Sequence, residues 1–388
     1  MTNEKKHIPQ GYKSSPLGII PEDWEVKRLG ELGEVLMCKR IMKYQTDSCG
    51  DIPFFKIGTF GGKPDAYIPK EVFDEYKTKY SYPKIGDVLI SAAGTIGRSV
   101  IFDGTPSYYQ DSNIVWIDND NKQVLNKYLY YYYSTINWIT DTGTVPRLYN
   151  GALKAIQIPT PPIEQQTRIV SILELWDAAI AKQTALIEQL TLRKRGLMQQ
   201  LLTGKKRLKG FDGEWKEVRL GEVCEITTGK LDANAMVNNG TYPFYTCAKE
   251  TYRINEYAFD TEALLVSGNG EHVGYVHYYK GKFNAYQRTY VLDKFLENIF
   301  YLYYALNQYL PKRILQTKSN SNTPYIVMET LANMGLLLPE NNEQKAIAEI
   351  LMAADKEIEI QKQKLSSLQS QKRGLMQQLL TGKKRIIK

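Results

Sequence analysis

KRGLMQQLLTGKKR, residues 194–207, returns unchanged at residues 372–385, 178 positions later. Fourteen identical residues at one fixed offset mark an internal duplication, which dictates architecture before any local signal is weighed. The match runs outward. QTRIVSIL at 166–173 aligns with QKAIAEIL at 344–351 on the same offset, and Asp177 and Ile180 fall on Asp355 and Ile358. Each copy also opens alike. Asp23-Trp24 through Arg28-Leu29-Gly30-Glu31 resembles Glu214-Trp215 through Arg219-Leu220-Gly221-Glu222, here 191 positions apart, so the first globular part is 13 residues longer. Between these landmarks, roughly at 32–160 and 223–338, the copies diverge. Each unit is therefore a variable globular domain followed by a near-constant tail.

The tail reads as a helix. Ile169, Leu173, Trp176, Ile180, Gln183, Ile187, Leu190, Lys194, Leu197 and Leu201 follow one another in steps of four and three. Ile347, Leu351, Ala354, Ile358, Gln361, Leu365, Leu368, Lys372, Leu375 and Leu379 repeat the pattern, with the polar breaks in the same places. That is a heptad seam, and a seam requires a partner. The partner in reach is the other copy, packed antiparallel because a globular domain lies between the two helices; Gln183 and Gln361 would fix the register. Two unrelated core helices are the alternative, and the matched breaks disfavour it. Thr160-Pro161-Pro162 supplies a helix start, Thr203-Gly204 and Thr381-Gly382 supply stops, and Asn341 with Gln344 reads as a capping pair.

The variable parts carry mixed α and β signals. Gly86-Asp87-Val88-Leu89-Ile90-Ser91 runs into Gly94-Thr95-Ile96-Gly97, as Leu264-Leu265-Val266-Ser267 runs into Gly268-Asn269-Gly270 and Val273-Gly274. Tyr109-Gln110 before Asn113-Ile114-Val115 lines up with Tyr286-Gln287 before Thr289-Tyr290-Val291. Aromatic stretches at 128–133 and 300–304 could stack on bases; their helical pattern and repetition favour core packing. A polar loop, 142–147 and 317–322, precedes each constant helix region, a composition suited to phosphate and base-edge contacts.

Lys plus Arg number 50 against 42 Asp plus Glu, a net charge of +8 that fits a polyanionic partner without requiring one. There is no apolar run of about 18 residues to span a bilayer, and the first residues lack a signal-peptide core, so the expected location is the cytoplasm. Cys38, Cys49, Cys224 and Cys247 form no CxxC pair, and His272 and His277, five apart in a strand, would face opposite ways. The cysteines are expected to be structural thiols and no metal is expected. No GxxxxGK[ST] loop, GxGxxG fingerprint or NPPY-like methyltransferase tetrapeptide occurs. Pro64-Asp65 with Glu75 and Lys77 fits the permissive PD…ExK pattern of magnesium nucleases, but only in one copy.

Ile20-Pro21-Glu22-Asp23-Trp24 with Leu29-Gly30, Gly86-Asp87 through Gly97, Pro161-Pro162-Ile163-Glu164-Gln165-Gln166 with Ile169 and Leu173, and the duplicated Lys194-to-Gly204 segment together resemble the specificity subunit of type I restriction–modification enzymes over nearly the whole chain. The resemblance implies an α+β architecture with pseudo-twofold symmetry: two similar target recognition domains joined by two long helices in an intramolecular antiparallel coiled coil. The expected segments are a first recognition domain at 1–162, a central spacer helix at 163–204, a second recognition domain at 205–341 and a distal spacer helix at 342–388. It further implies a non-catalytic subunit with no cofactor of its own. Its partners would be double-stranded DNA, two modification subunits that use S-adenosylmethionine, and two ATP- and magnesium-dependent restriction subunits. One departure is that Ser267-Gly268-Asn269-Gly270-Glu271-His272 replaces the usual serine, glycine, hydrophobic, glycine run.

A helix at 163–203 would be about 60 Å long, enough to place two readers about one DNA turn, roughly 34 Å, apart. The expected target is bipartite and asymmetric, with an unread gap of roughly 5 to 8 base pairs. Residue types suited to base edges and phosphates nominate Lys56, Thr59, Arg98, Gln110, Asn113 and Arg147 in the first domain. Lys249, Arg253, Asn269, Gln287, Arg288 and Lys318 are nominated in the second. The competing readings are a stand-alone nuclease built on Asp65, Glu75 and Lys77, and a coiled-coil scaffold indifferent to DNA sequence.

Overall fold

A computed structural model of the chain describes residues 8–138, 147–316 and 324–386. The chain divides into two compact units, Met1–Lys182 with Leu365–Lys388, and Gln183–Lys364. The first unit opens with β1 (Tyr12–Ser15), β2 (Gly18–Pro21), β3 (Glu25–Arg28), β4 (Val35–Leu36), β5 (Ile52–Phe55), β6 (Tyr67–Ile68) and helix α1 (Lys70–Lys79). Strands β7 (Val88–Ser91), β8 (Ser99–Ile101), β9 (Tyr108–Tyr109) and β10 (Ile114–Ile117) follow. Helices α2 (Asn126–Tyr133) and α3 (Asn150–Ala155), strand β11 (Gln157–Thr160) and the long α4 (Ile163–Leu201) come next. The apolar runs VLIS and IVWI are buried at every position, which makes β7 and β10 the middle of a sheet ordered β4-β10-β7-β8. Beside it stands the sheet β6-β5-β9, whose β5 and β9 run parallel.

The second unit repeats this plan. It contains β12 (Lys216–Arg219), α5 (Leu220–Val223), β13 (Glu225–Thr228), β14 (Tyr242–Tyr245), β15 (Tyr252–Ile254), β16 (Phe259–Ser267), β17 (Val276–Ala285) and β18 (Thr289–Asp293). Then come α6 (Ile299–Gln316), α7 (Met328–Ala332), β19 (Gly335–Leu338) and α8 (Asn341–Leu379). Here one sheet, β13-β18-β16-β17-β14-β15, carries both parts, because β17 is long enough to pair with β16 and then, in parallel, with β14. The two tyrosine-rich stretches are α2 and α6. Tyr128 and Tyr301 are fully buried, and their hydroxyls donate to the carbonyls of Pro159 at 3.0 Å and Leu337 at 2.6 Å. These rings fill the core and are closed to bases.

All twenty seam positions are buried or half-buried. Within the second unit Gln183 donates to the Gln361 side chain at 2.8 Å and Lys194 meets Asp355 at 2.5 Å, so as one helix advances the other retreats and the pair is antiparallel. Within the first unit Lys372 pairs with Asp177, and Ile169, Leu173, Leu379 and Leu380 share one core with Trp24 and Tyr128. Both helices stop on a glycine in the left-handed region, Gly204 (φ +69°) and Gly382 (φ +71°). Lys206 N–H to Gln200 O and Lys384 N–H to Gln378 O, each 3.1 Å, close the last turns.

The duplicated residues mount each head in the same way. Gln166 is buried, accepts from Leu125 N–H at 2.8 Å just ahead of α2, and donates to the Pro161 and Gln123 carbonyls. Gln344 is buried likewise, accepts from Asn298 N–H at 3.1 Å just ahead of α6, and donates to Pro339 O and Glu297. Gln344 is thus not half of a capping pair with Asn341; its amide is committed to a distant strand end and helix start. The Trp24 indole donates to Gln165 and the Trp215 indole to Glu343, the residues one position earlier. Arg207 grips Glu343 with two bonds of 2.8 and 2.7 Å, and Arg385 grips Asp23 with two of 3.0 Å.

Candidate nucleic-acid interface

The turn after β7 is shaped by its serine and glycines. Ser91 Oγ accepts from Arg98 N–H at 2.9 Å and donates to Thr95 O at 2.5 Å, while Gly97 N–H reaches Ser91 O at 3.0 Å. Gly94 and Gly97 both take positive φ, +62° and +84°. A Cβ on Gly97 would stand 2.0 Å from the Trp138 indole nitrogen, so glycine is required there on two counts. Three other segments are bonded to this turn or to one another. Ala92 N–H donates to Asn113 O at 2.7 Å, Leu148 N–H donates to Ala92 O at 2.8 Å, and Ala93 bridges Arg147. Gln110 N–H donates to Phe55 O at 3.0 Å, and Arg98 reaches Phe60 O at 2.7 Å. The segments 55–60, 91–98, 110–113 and 147 thus gather at one end of the sheets, bringing together all six residues nominated in the first domain.

Their side chains divide. The Gln110 amide oxygen accepts from Ile57 N–H at 2.9 Å, Thr59 Oγ1 accepts from Lys56 N–H at 3.1 Å, and Arg98 is held on a carbonyl. These three hold the loops in shape. Lys56 pairs with Asp65 at 2.9 Å in an exposed ion pair of small energy. Arg147 is exposed, and the Asn113 side chain has no hydrogen-bond partner among the described residues.

The second unit builds the same cluster. Gly268 N–H donates to Arg288 O at 2.8 Å, Ile326 N–H to Gly268 O at 2.9 Å, Gly274 N–H to Ser267 O at 2.7 Å, and Asn269 bridges Tyr325. Tyr286 N–H donates to Tyr245 O at 2.9 Å, as Gln110 does to Phe55 O. Gln110 therefore corresponds to Tyr286, not to Gln287, and Asn113 corresponds to Arg288. Val273-Gly274 occupies the place of Ile96-Gly97, so the irregular run here is the same turn lengthened by one residue. Gln287 and Arg288 are exposed at the cluster, and Lys249 lies 6.0 Å over the Tyr275 ring. Arg253 stands apart on β15, 3.5 Å from Thr241 O. Lys318 and the loops at 142–146 and 317–322 lie wholly or mainly outside the described residues. His277 is bonded to Ala248 O at 3.0 Å, and burial lowers its pKa, which keeps it uncharged at neutral pH.

Three basic residues were not nominated from sequence. Arg40 pairs with Asp111 at 2.8 Å, placing it and the exposed Lys39 beside the 110–113 loop. Lys230, exposed after β13, is placed similarly, because Leu231 bridges Tyr286. Their only sequence signal is a lysine three residues past Leu36 and past Thr227, which hold equivalent places in the register against β10 and β18. The nuclease pattern does not assemble: Asp65 is paired with Lys56, Glu75 with Lys79 at 2.9 Å, and Lys77 lies over the Phe73 and Tyr82 rings. Among the described residues no three His, Cys, Asp or Glu side chains gather as a metal site, and no helix is long and apolar enough to cross a membrane.

Two loop clusters on duplicated scaffolds match a known domain twice: the type I restriction modification DNA specificity domain covers residues 21–192 and again 212–370. The chain belongs to that family. A putative type I restriction enzyme specificity subunit of Haemophilus influenzae is 64% identical over 159 residues, 41% of this chain and 41% of that one. The EcoDI specificity subunit of Escherichia coli is 41% identical over 43% of this chain and 37% of its own. The chain thus spans about two-fifths of the length of these two relatives. A putative specificity subunit of Methanocaldococcus jannaschii, MjaX, is 26% identical over 97% of both chains. In fold, the crystal structure of a type I S subunit from M. genitalium superposes with a TM-score of 0.58 at 17% identity, covering 92% of this chain and 96% of that one. Each half of the present chain is thus a specificity domain with its own loop cluster.

Proposed function

We propose that the chain is the DNA-reading specificity subunit of a type I restriction–modification enzyme, recognising an asymmetric bipartite target with a fixed gap. One observation carries this: two loop clusters of different composition sit on scaffolds whose hydrogen bonds match strand for strand. Equal scaffolds with unequal loops read two unlike half-sites. Arg147, Asn113 and Lys56 serve the first half-site, with Lys39 and Arg40 beside them; Arg288, Gln287, Asn269 and Lys249 serve the second, with Lys230. Arg253 is a flank contact. The two helices act as spacer and scaffold and dock two modification and two restriction subunits. S-adenosylmethionine, ATP and magnesium belong to those partners, and this chain carries no catalytic step. Its DNA target places it in the cytoplasm.

Methylome sequencing of cells carrying the chain with its modification subunit tests the reading. The expected result is adenine methylation at one gapped motif with two different half-sites. Absence of any motif, or a sequence-blind pattern, would overturn it. Magnesium-dependent cutting by the isolated chain would instead favour the nuclease.

A further inference from the structure

A lysine in a heptad seam is unfavourable unless it finds a partner, and the two seam lysines find the same partner twice. Lys194 stands 2.5 Å from Asp355 and 5.1 Å above the Tyr304 ring, while the Tyr304 hydroxyl donates to the other Asp355 oxygen at 2.7 Å. In the first unit Lys372 pairs with Asp177 and lies 5.1 Å above the Tyr131 ring, whose hydroxyl donates to Asp177 at 2.7 Å. Each constellation ties three elements of one unit: both spacer helices and the tyrosine helix of the head. The helices exchange roles, since the lysine comes from α4 in one unit and from α8 in the other.

Apolar burial between head and helices is non-directional. A carboxylate that receives an ammonium on one oxygen and a phenol on the other fixes an angle as well as a distance. Burial, reinforced by the neighbouring aspartate, raises the pKa of both tyrosines, so each hydroxyl stays a donor at physiological pH. In the first unit the Trp138 indole donates to Tyr133 O at 3.2 Å and packs against Gly97, so a tilt of α2 would reach the turn carrying Arg98.

We propose that Tyr131–Asp177–Lys372 and Tyr304–Asp355–Lys194 are positioning residues that set the angle of each head on its helix pair, and thereby the gap between half-sites that the subunit accepts. This rests on the function proposed above. The test uses the full chain assembled with its modification subunits. Binding is measured to duplexes bearing both half-sites at the native gap and at one base pair more or less. Tyr131→Phe, Lys372→Met and Tyr304→Phe should each lower the preference for the native gap by about tenfold, the equivalent of one charge-assisted hydrogen bond. The preferred bases within each half-site should not change, and Lys372→Arg should restore most of the preference. Gap preference within twofold of wild type in these variants would overturn the proposal, as would altered base preference. Should Lys372→Met fail to fold, Tyr131→Phe, which removes a single oxygen, decides. A wild-type complex indifferent to gap and sequence would sink the proposed function itself.

Discussion

Gly94 and Gly97 offer a paired test of the reading turn. Both adopt left-handed backbone, at φ +62° and +84°, so alanine at either costs about 1–2 kcal/mol in conformation alone. They differ in room. Among the described residues, a Cβ on Gly94 would meet only Ile57 Cγ1 at an ordinary 3.7 Å. On Gly97 it would lie 2.0 to 2.5 Å from three atoms of the Trp138 indole, whose nitrogen donates to Tyr133 O at 3.2 Å. Displacing that ring adds overpacking strain, bringing Gly97→Ala to roughly 2–5 kcal/mol. At about 3 °C per kcal/mol for a unit of this size, the two variants should separate clearly on a melting curve. The assay is denaturation followed by tryptophan fluorescence, with DNA binding measured below the transition. Gly97→Ala should weaken the first half-site, because the displaced turn carries Arg98, whose bond to Phe60 O holds the loop of Lys56, and leave the second unchanged. Equal losses at the two glycines, or a neutral Gly97→Ala, would refute the packing argument.

Inserting one heptad after Lys182 and one after Lys364 keeps both seams in phase and lengthens each helix by about 10 Å; the recognised gap should change while both half-sites stay the same, and an unchanged gap in the methylome would refute the spacer role. Arg147→Ala and Arg288→Ala should each cost about 1–3 kcal/mol in binding and relax one base position in their own half-site. A uniform loss on all sequences, with a salt slope reduced by about one, would reassign either to a phosphate. Burial pushes the Cys38 and Cys224 thiols up to about 12, so both remain protonated at pH 8 and resist alkylation, whereas the exposed Cys49 reacts. Peptide mass spectrometry after iodoacetamide measures this, and prompt labelling of Cys38 in folded protein would contradict it.

The seam was legible because periodicity is a local property: every position picked by the four–three spacing is buried or half-buried. Its polar breaks were visible as exceptions, but Tyr304 as a partner of Lys194 was not, since a contact across three elements leaves no periodic trace. Gln344 shows the converse error. Adjacency to Asn341 resembled a cap, yet long-range packing directs the amide to Asn298 and Glu297. Gln287 was misplaced by one because the turn after Gln110 has one more residue than the turn after Tyr286, and loop length is hidden where sequences diverge. Thr59, Gln110 and Arg98 fall in the loop cluster, but the groups that suit a base edge also hold a loop, and type alone does not separate the two uses.

The two units differ in how the ribosome delivers them. The second is one uninterrupted stretch, Gln183–Lys364, and can complete its interior as soon as it has emerged. The first cannot: Leu375, Met376, Leu379 and Leu380 belong to the same core as Trp24 and Tyr128, and they are translated after the whole of the second unit. The head made earliest must therefore wait, incompletely packed, while the later one folds. A chain cut short near residue 365 would keep every residue of the second unit and leave the apolar surface of the first head uncovered.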